Sequence, residues 1–322
     1  MKILLVGLGR WGKNHLKTLK RMDVEIYLSD VDEIQLKDWM CDEIPSDHKS
    51  TNYQDFISKV DAVVIATPTD SHLKICRDAF KRKKDVFVEK PIALTSKDAI
   101  RMVNESDKLG LILQVGHIYR YHPATSEVKH IIEEETLGNI KYAYGHFMGF
   151  KRPRMDVGVT QTDAIHYFDL FNYLFGLPNS VISVTKNYLN LPLDDTSISI
   201  LDYQGKMVLI EAGYLAPETK RDIAIIGDKG NLYCDFQKNH LVVKKNYHTG
   251  NVAQIGDIQE IVIKPEEPLE IELRAFIDSV RIGGKPLANG LVANGWDGYR
   301  ALKIAEACYK SSNDNRKVEI KW

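Results

Sequence analysis

The sequence has no long apolar run, no paired cysteine motif and almost no net charge. No stretch approaches the roughly 18 consecutive apolar residues of a membrane span. The apolar opening, Met1-Lys-Ile-Leu-Leu-Val6, is too short for a secretory leader and runs directly into a glycine motif. The four cysteines, Cys41, Cys76, Cys234 and Cys308, are scattered without CxxC spacing, which argues against a zinc site or a disulfide framework. A formal net charge of −1 gives no reason to expect a nucleic acid or an anionic membrane as partner. The one basic run, Lys81-Arg-Lys-Lys84, reads as the end of a solvated helix, where cations suit the negative dipole end. With 322 residues, 44% of them hydrophobic, the chain is long enough for two soluble domains, and a cytoplasmic location is expected.

The first half reads as alternating strands and helices. Residues 2–6 form a continuous apolar run, as in a strand buried on both faces. Gly7-Leu-Gly9-Arg10-Trp11-Gly12 follows, then a helical stretch over 13–22 and a second strand over 24–30. Strand, glycine turn, helix and strand within about 30 residues is the setting in which this motif binds a dinucleotide. The first glycine permits a tight turn, the second admits a pyrophosphate to the backbone, and the third lets helix and strand pack closely. Asp30 stands 18 residues after Gly12, near the spacing expected for a carboxylate on the ribose 2′-hydroxyl. Such a carboxylate repels a 2′-phosphate and favours NAD over NADP. Asp32 could share that role, and either acid could instead cap the helix starting near Glu33.

Further strands are expected over 61–66, 85–89 and 111–115, with helices over 73–84 and from Thr95 to Leu109, the latter stopped by Gly110. The strand over 61–66 ends in Thr67-Pro68-Thr-Asp70-Ser71-His72, where Ser71 or Asp70 could cap the next helix and His72 could be no more than a residue of its first turn. The strand over 85–89 ends in Glu89-Lys90-Pro91, at the sheet edge where parallel α/β folds bind ligands. Lys90 is therefore a candidate for proton transfer beside a bound cofactor.

The pattern changes near residue 120. A helix over 123–137 is followed by alternating segments over 140–147, 181–188, 197–202, 206–212, 222–226, 231–236, 241–245 and 258–263, separated by turn signals such as Tyr203-Gln-Gly205. Residues 245–257 read as a hairpin loop. The expected fold is α/β: a Rossmann domain over 1–120, then an α/β domain over 121–322 with a mainly antiparallel open sheet. Helices over 162–175, 269–282 and 296–311 are expected to cover one face of that sheet.

These parts resemble the glucose–fructose oxidoreductase / inositol dehydrogenase (Gfo/Idh/MocA) family. The residues that carry the resemblance are Gly7 to His15, Ala66 to His72, Glu89-Lys90-Pro91, Gly116-His-Ile-Tyr-Arg120-Tyr-His-Pro123, Asp163-Ala-Ile-His166-Tyr-Phe-Asp169, and Asn294-Gly-Trp-Asp-Gly298. The resemblance implies NAD(P) held by Gly7, Gly9, Arg10, Trp11, Gly12, Asp30, Thr67, Pro68, His72 and Glu89. It also implies hydride transfer between nicotinamide and a carbon bearing a sugar or cyclitol hydroxyl, and a homodimer or homotetramer built on the open sheet. Lys90 and His166 match the residues that touch the reacting hydroxyl, and the Lys90–Pro91 bond is expected to be cis. A lysine has a reference pKa of about 10.4, so burial and a nearby positive charge must lower it before it serves as a base.

The family often places an aspartate four residues before the histidine. Here Thr162 occupies that position and the acid is Asp163, a shift of about 100° on a regular helix. Asp163 therefore enters as a catalytic and substrate-binding candidate in a changed orientation. Residues 115–124 and 154–159 resemble the nucleotide-sugar branch, which oxidises C3 of UDP-N-acetyl sugars, although Tyr119, Tyr121 and His122 replace its usual residues. Lys151-Arg152-Pro-Arg154 could hold a diphosphate or be ordinary loop charges. Arg120, Tyr144 and Arg154 are further substrate-contact candidates, with Lys90, Asp163 and His166. Two alternatives stand beside the sugar dehydrogenase: a free-sugar or inositol dehydrogenase, and a non-catalytic NAD-binding sensor. A sensor needs neither Lys90 nor His166. A metal-dependent lyase lacks spaced ligands in the sequence.

Overall fold

The computed structural model describes residues 1–283 and 291–322. Two compact units emerge, the first made of Met1–Ile118 and Glu267–Arg300, the second of Tyr119–Glu266 and Ala301–Trp322. The sequence reading placed a single boundary after residue 120. The chain instead returns to the first unit before it ends in the second.

In the first unit, β1 (Lys2–Val6), β2 (Glu25–Ser29), β3 (Lys49–Ser50), β4 (Ala62–Ile65), β5 (Asp85–Val88) and β6 (Leu113–Val115) form one parallel sheet in the order β3-β2-β1-β4-β5-β6. The runs Ile3-Leu-Leu-Val6 and Ala62-Val-Val-Ile65 are buried throughout, as expected of strands covered on both faces. Helices α1 (Arg10–Leu19), α2 (Glu33–Leu36), α3 (Thr69–Lys81) and α4 (Ser96–Leu109) connect them. The hydroxyl of Thr95 caps α4 by accepting the Asp98 N–H at 3.1 Å, and Gly110 ends it in the left-handed region at φ 65°. Asp32 caps α2 by accepting the Ile34 N–H at 3.0 Å. Neither Asp70 nor Ser71 caps α3. That helix starts earlier, at Thr69 after Pro68, so both acid and hydroxyl already lie in its first turn.

The second unit opens with α5 (Pro123–Glu133), capped by His122. Its nine-stranded sheet contains β7 (Ile140–Phe150), β8 (Ser180–Lys186), β9 (Thr196–Tyr203), β10 (Lys206–Gly213), β11 (Leu215–Gly227), β12 (Asn231–Asp235) and β13 (His240–Lys244). β14 (Tyr247–Thr249) and β15 (Val252–Gln254) form a separate hairpin within the expected loop, and β16 (Ile258–Val262) returns to the main sheet. The order is β16-β13-β12-β11-β7-β10-β9-β8-β17, antiparallel throughout except for the parallel pair β7–β10. The edge strand β17 (Val318–Glu319) is two residues long, too short to leave a periodic signal in the sequence.

One face of this sheet carries α6 (Ile165–Phe175). Tyr167 and Phe168 of that helix lie in a core with Phe147, Val208, Ile210 and Ile223. Gly145 permits this approach, since a Cβ there would stand 2.7 Å from the Tyr167 ring. The other helices correct the sequence reading. α7 (Pro268–Arg281) packs in the first unit, where Leu269, Leu273, Phe276 and Ile277 join Leu16, Leu19 and Phe87. Only part of α8 (Gly295–Asp314) belongs to the second unit. The expected resting place failed because an apolar helical stripe specifies burial without naming its partner. Among the described residues, no helix is long and apolar enough to cross a membrane.

His122 accepts the Ala124 N–H at Nδ1, 3.2 Å away, and its Nε2 lies 3.0 Å from the Phe236 carbonyl. The neutral ring satisfies both contacts, and burial pushes its pKa below the usual histidine value. A folded pKa below the unfolded one gives stability that is present above about pH 6.5 and is lost as pH falls through the folded value. His122→Asn retains a capping side chain and removes the titration. In thermal melts between pH 8 and 5, the variant should lose less stability on acidification than the parent protein does.

Candidate functional site

In the first unit the glycine loop is shaped by contacts that only glycine allows. Gly7 has φ 93°, and a Cβ there would meet the Ala66 carbonyl at 2.7 Å. A Cβ on Gly12 would stand 1.9 Å from the Gly7 carbonyl oxygen. Gly9 differs, because nothing lies within 4 Å of its missing Cβ. It begins α1 with no side chain folded over the helix end and no acid in the first turn. The first-turn N–H groups and the positive dipole end suit a pyrophosphate. Exposed Arg10 and half-buried Trp11 belong to that same turn.

Asp30 lies just beyond β2. It accepts the Leu8 N–H at 2.5 Å on one oxygen and the Asp32 N–H at 2.9 Å on the other. The acid thus fastens the glycine loop to the end of β2, and each oxygen keeps a further lone pair for a ribose hydroxyl. These residues fit the adenosine and pyrophosphate parts of NAD.

The carboxyl ends of β4 and β5 are joined by side chains. His72 is buried, with Nδ1 3.0 Å from the Pro91 carbonyl and Nε2 3.0 Å from the Thr67 carbonyl. It is a cofactor-contact candidate from the sequence, but its ring faces two backbone carbonyls, and the neutral form that burial favours donates its one N–H to one of them. The Thr67 and Ser71 hydroxyls are 2.5 Å apart, and Ser71 also donates to the Pro68 carbonyl.

Glu89 is 7% exposed. One of its oxygens is 2.8 Å from His15 Nε2 and the other accepts the Lys90 N–H at 3.2 Å. Burial alone would raise its pKa; the His15 hydrogen bond, with the charges of His15 and Lys90, holds it below the ordinary carboxylate value. Glu89 is therefore an anchor for the strand end. Lys90 is itself 7% exposed, and its bond to Pro91 is cis. His15 was not assigned a role from sequence. A signal existed, because Gly12, His15, Leu16 and Leu19 share the buried face of α1, and a histidine there requires a polar partner.

In the second unit His166 is 5% exposed and stacks on Phe147, with centroids 5.0 Å apart, while Tyr119 stands 5.2 Å away. Asp163 pairs with Lys151, whose ammonium also lies 5.1 Å from the Phe147 centroid and 5.3 Å from that of Tyr214. The Thr162 and Tyr214 hydroxyls are 2.6 Å apart. Residues Thr160–Ala164 form a π turn, with the Ile165 N–H reaching back to the Thr160 carbonyl. The 100° shift assumed for Asp163 presupposed a regular helix, and that assumption fails here. Asp194, unassigned from sequence, fastens the start of the turn. It accepts the Thr160 N–H at 2.9 Å and its hydroxyl at 2.6 Å, and the Tyr309 hydroxyl at 2.8 Å.

Three substrate-contact candidates are redirected. Arg120 is 4% exposed and its Nε and Nη2 are bonded to Asp169 at 2.7 and 2.6 Å, a buried fork that binds parts of the second unit to one another. Tyr144 lies on the sheet face opposite Phe147 and His166, since neighbouring strand residues alternate faces. There it stands beside His146, which bonds Asp222 at 2.7 Å. Arg154 closes the same Nε/Nη2 fork on Asp156. With Lys151 on Asp163, two of the three cations proposed for a diphosphate already carry a carboxylate.

Gly9→Ala and Gly12→Ala separate cofactor binding from packing. Gly12→Ala should cost at least about 1–3 kcal/mol of stability, through overpacking. Gly9→Ala should keep stability within about 1 kcal/mol yet weaken NAD at least tenfold, ~1.4 kcal/mol. Thermal melts and NAD titration by calorimetry read the two effects.

Comparison with known proteins identifies the family and the fold. Over 99% of this chain and 98% of the relative, the sequence is 26% identical to myo-inositol 2-dehydrogenase of Thermotoga maritima. The fold is shared with UDP-N-acetylglucosamine 3-dehydrogenase of Acidithiobacillus ferrooxidans (TM-score 0.82, 21% identity, 98% of each chain). It is shared also with the WlbA dehydrogenase of Bordetella pertussis, solved with NADH and UDP-GlcNAcA (TM-score 0.83, 21% identity, 100% of this chain and 98% of that one). Residues 1–117 match an oxidoreductase-family NAD-binding Rossmann fold and residues 129–320 match the same family's C-terminal alpha/beta domain, so the chain belongs to the Gfo/Idh/MocA family of NAD-binding oxidoreductases.

Proposed function

We propose that the protein oxidises a secondary hydroxyl of a sugar, nucleotide sugar or cyclitol with NAD, or runs the reverse reduction. The observation that carries this reading is Lys90, a buried lysine at the carboxyl end of a parallel strand in an NAD-binding unit. Its backbone is held by Glu89, and the His72 ring packs against the Pro91 carbonyl. Bound NAD supplies the hydride acceptor. As the carbinol carbon loses a hydride, with its electron pair, its hydroxyl must lose a proton to become a carbonyl. Lys90 and His166 are the two groups we assign to handle that proton. Asp163, three residues before His166, is paired with Lys151. Asp30 favours NAD over NADP, since a 2′-phosphate would meet a carboxylate.

Relatives and structural neighbours bear names of inositol and UDP-sugar dehydrogenases, which supports the sugar or cyclitol class. C3 of a UDP-sugar is one candidate position, and a free sugar or inositol is the alternative. A sensor without chemistry gains nothing from a buried lysine at this strand end. NADH formation at 340 nm (a property of the nicotinamide) should appear with at least one member of a panel of UDP-sugars, hexoses and inositols. Lys90→Ala should abolish it, by at least about a hundredfold, while NAD still binds. Equal turnover of variant and parent refutes the assignment.

We also propose a homodimer or homotetramer built on the open sheet face. The rows Ile182, Ile200, Leu209, Tyr144 and Val184, Ile198, Glu211, His146 run side by side across β8, β9, β10 and β7. Ile182 and Val184 are each 50% exposed, and Met207 is 54% exposed. An apolar surface of this extent marks an interface more often than a solvated face. Ile200→Arg should lower the mass measured by light scattering to that of the monomer; an unchanged mass would place the interface elsewhere.

A further inference from the structure

Arg120, Arg154 and Arg221 of the second unit differ in how the Nε/Nη2 edge of the guanidinium is used. Arg120 and Arg154 each use Nε and Nη2 to grip a carboxylate, Asp169 and Asp156 respectively. Arg221 uses only Nη1, which donates to the Met148 carbonyl and, at 2.6 Å, to the Lys220 carbonyl. Among the described residues no carboxylate pairs with Arg221, and its Nε and Nη2 have no acceptor. The two carbonyl bonds fix the plane of the group, so its open edge is preorganised.

The location of that edge gives it meaning. Arg221 lies opposite Phe147 in the β11–β7 ladder, on the sheet face that carries α6. Its guanidinium carbon is 3.9 Å from the Phe147 centroid, and Phe147 is the ring on which His166 stacks. The ladder is irregular between Leu215 and Lys220, just before it. Bulges of this kind re-aim a side chain beside a functional site. The nearby charges are already spent: Asp163 is paired with Lys151, and Asp222 faces the other side of the sheet with His146 and Tyr233. A half-buried cation with a fixed, unfilled fork suits a planar or tetrahedral oxyanion.

We infer that Arg221 is a specificity-determining residue that grips an anionic group, carboxylate or phosphate, on the substrate oxidised near His166. The substrate is then a sugar acid or a phosphate-bearing sugar, in preference to a neutral inositol. This rests on the dehydrogenase reading given above.

The test compares D-glucuronate, glucose 6-phosphate, UDP-glucose, glucose and myo-inositol as substrates, and as ligands of the NADH-loaded enzyme by calorimetry. In the parent enzyme at least one anionic compound should exceed the neutral ones in kcat/KM. Arg221→Met should lower that anionic-to-neutral ratio about 10- to 150-fold, mainly through KM, as expected for lost charge-assisted hydrogen bonds. Arg221→Lys keeps the charge without the fork and should fall between, which covers the case in which the methionine variant folds poorly. Glucuronate against the two phosphate compounds distinguishes carboxylate from phosphate. A preference for neutral substrates, or a ratio unchanged in both variants, overturns the inference and leaves the dehydrogenase reading standing. Anion binding that depends on Arg221 without any NADH formation preserves the inference and defeats that reading. Absence of both defeats both.

Discussion

A carboxylate taken out of water must have its oxygens occupied by donors, or the fold loses more than the charge contributes. Glu89 is such a group, and the first unit is arranged around meeting its needs. His15 reaches it from the buried face of α1, and the Lys90 N–H reaches it from the next residue of its own strand end. Gly116 contributes by having no side chain, since a Cβ there would sit 3.1 Å from the carboxyl group. With the His72 ring seated between the carbonyls of Thr67 and Pro91 and donating to one of them, the loops after β1, β4 and β5 are packed into one edge. That edge is where a parallel sheet presents its backbone to a dinucleotide. Rigid placement of Lys90 follows from bonds that are entirely internal to the unit.

The second unit solves a similar problem with different parts. Its π turn carries Asp163 and leads into His166, and a turn with a widened hydrogen-bond ladder needs something to hold it. Asp194 does so with one oxygen, which takes both Thr160 donors while the other takes the Tyr309 hydroxyl, and Gly158 leaves room, because a Cβ there would collide with that carboxylate. The aromatic rings of Phe147 and Tyr119 then fix the plane of His166. In both units a carboxylate, buried for Glu89 and half-buried for Asp194, supports the functional side chain without being the reactive group.

Much of this was legible in the sequence wherever local chemistry decides the outcome. Continuous apolar runs gave the parallel strands, alternation gave most of the antiparallel ones, and Thr95 and Gly110 marked the ends of α4. The glycine motif is legible because Gly7 needs a positive φ and Gly12 meets the Gly7 carbonyl five residues back, although the Ala66 carbonyl that also crowds Gly7 is remote in the sequence. What was hidden depends on long-range partners. Nothing near residue 269 in the sequence says that α7 packs with α1, and nothing near Arg120 names Asp169 as the carboxylate that claims it. Tyr144 looked available because alternation tells which residues share a face, but not which face the helix covers.

The placement of Asp163 shows most sharply why spacing misleads at a functional site. Counting residues back from His166 assumes a constant rotation per residue, and the π turn breaks that constancy just where the count is made. Thr162, standing where the family pattern places an acid, is committed to Tyr214, while Asp163 is committed to Lys151. The negative charge beside His166 is thus kept, but it arrives already neutralised by a lysine from the segment after β7. A neutralised pair cannot attract a cation, and it no longer repels an anion. The electrostatic bias of this face then falls to Arg221, whose charge no described carboxylate offsets. The one-residue displacement of an acid, which from the sequence implies a changed orientation, becomes a change in the kind of substrate this face is built to receive.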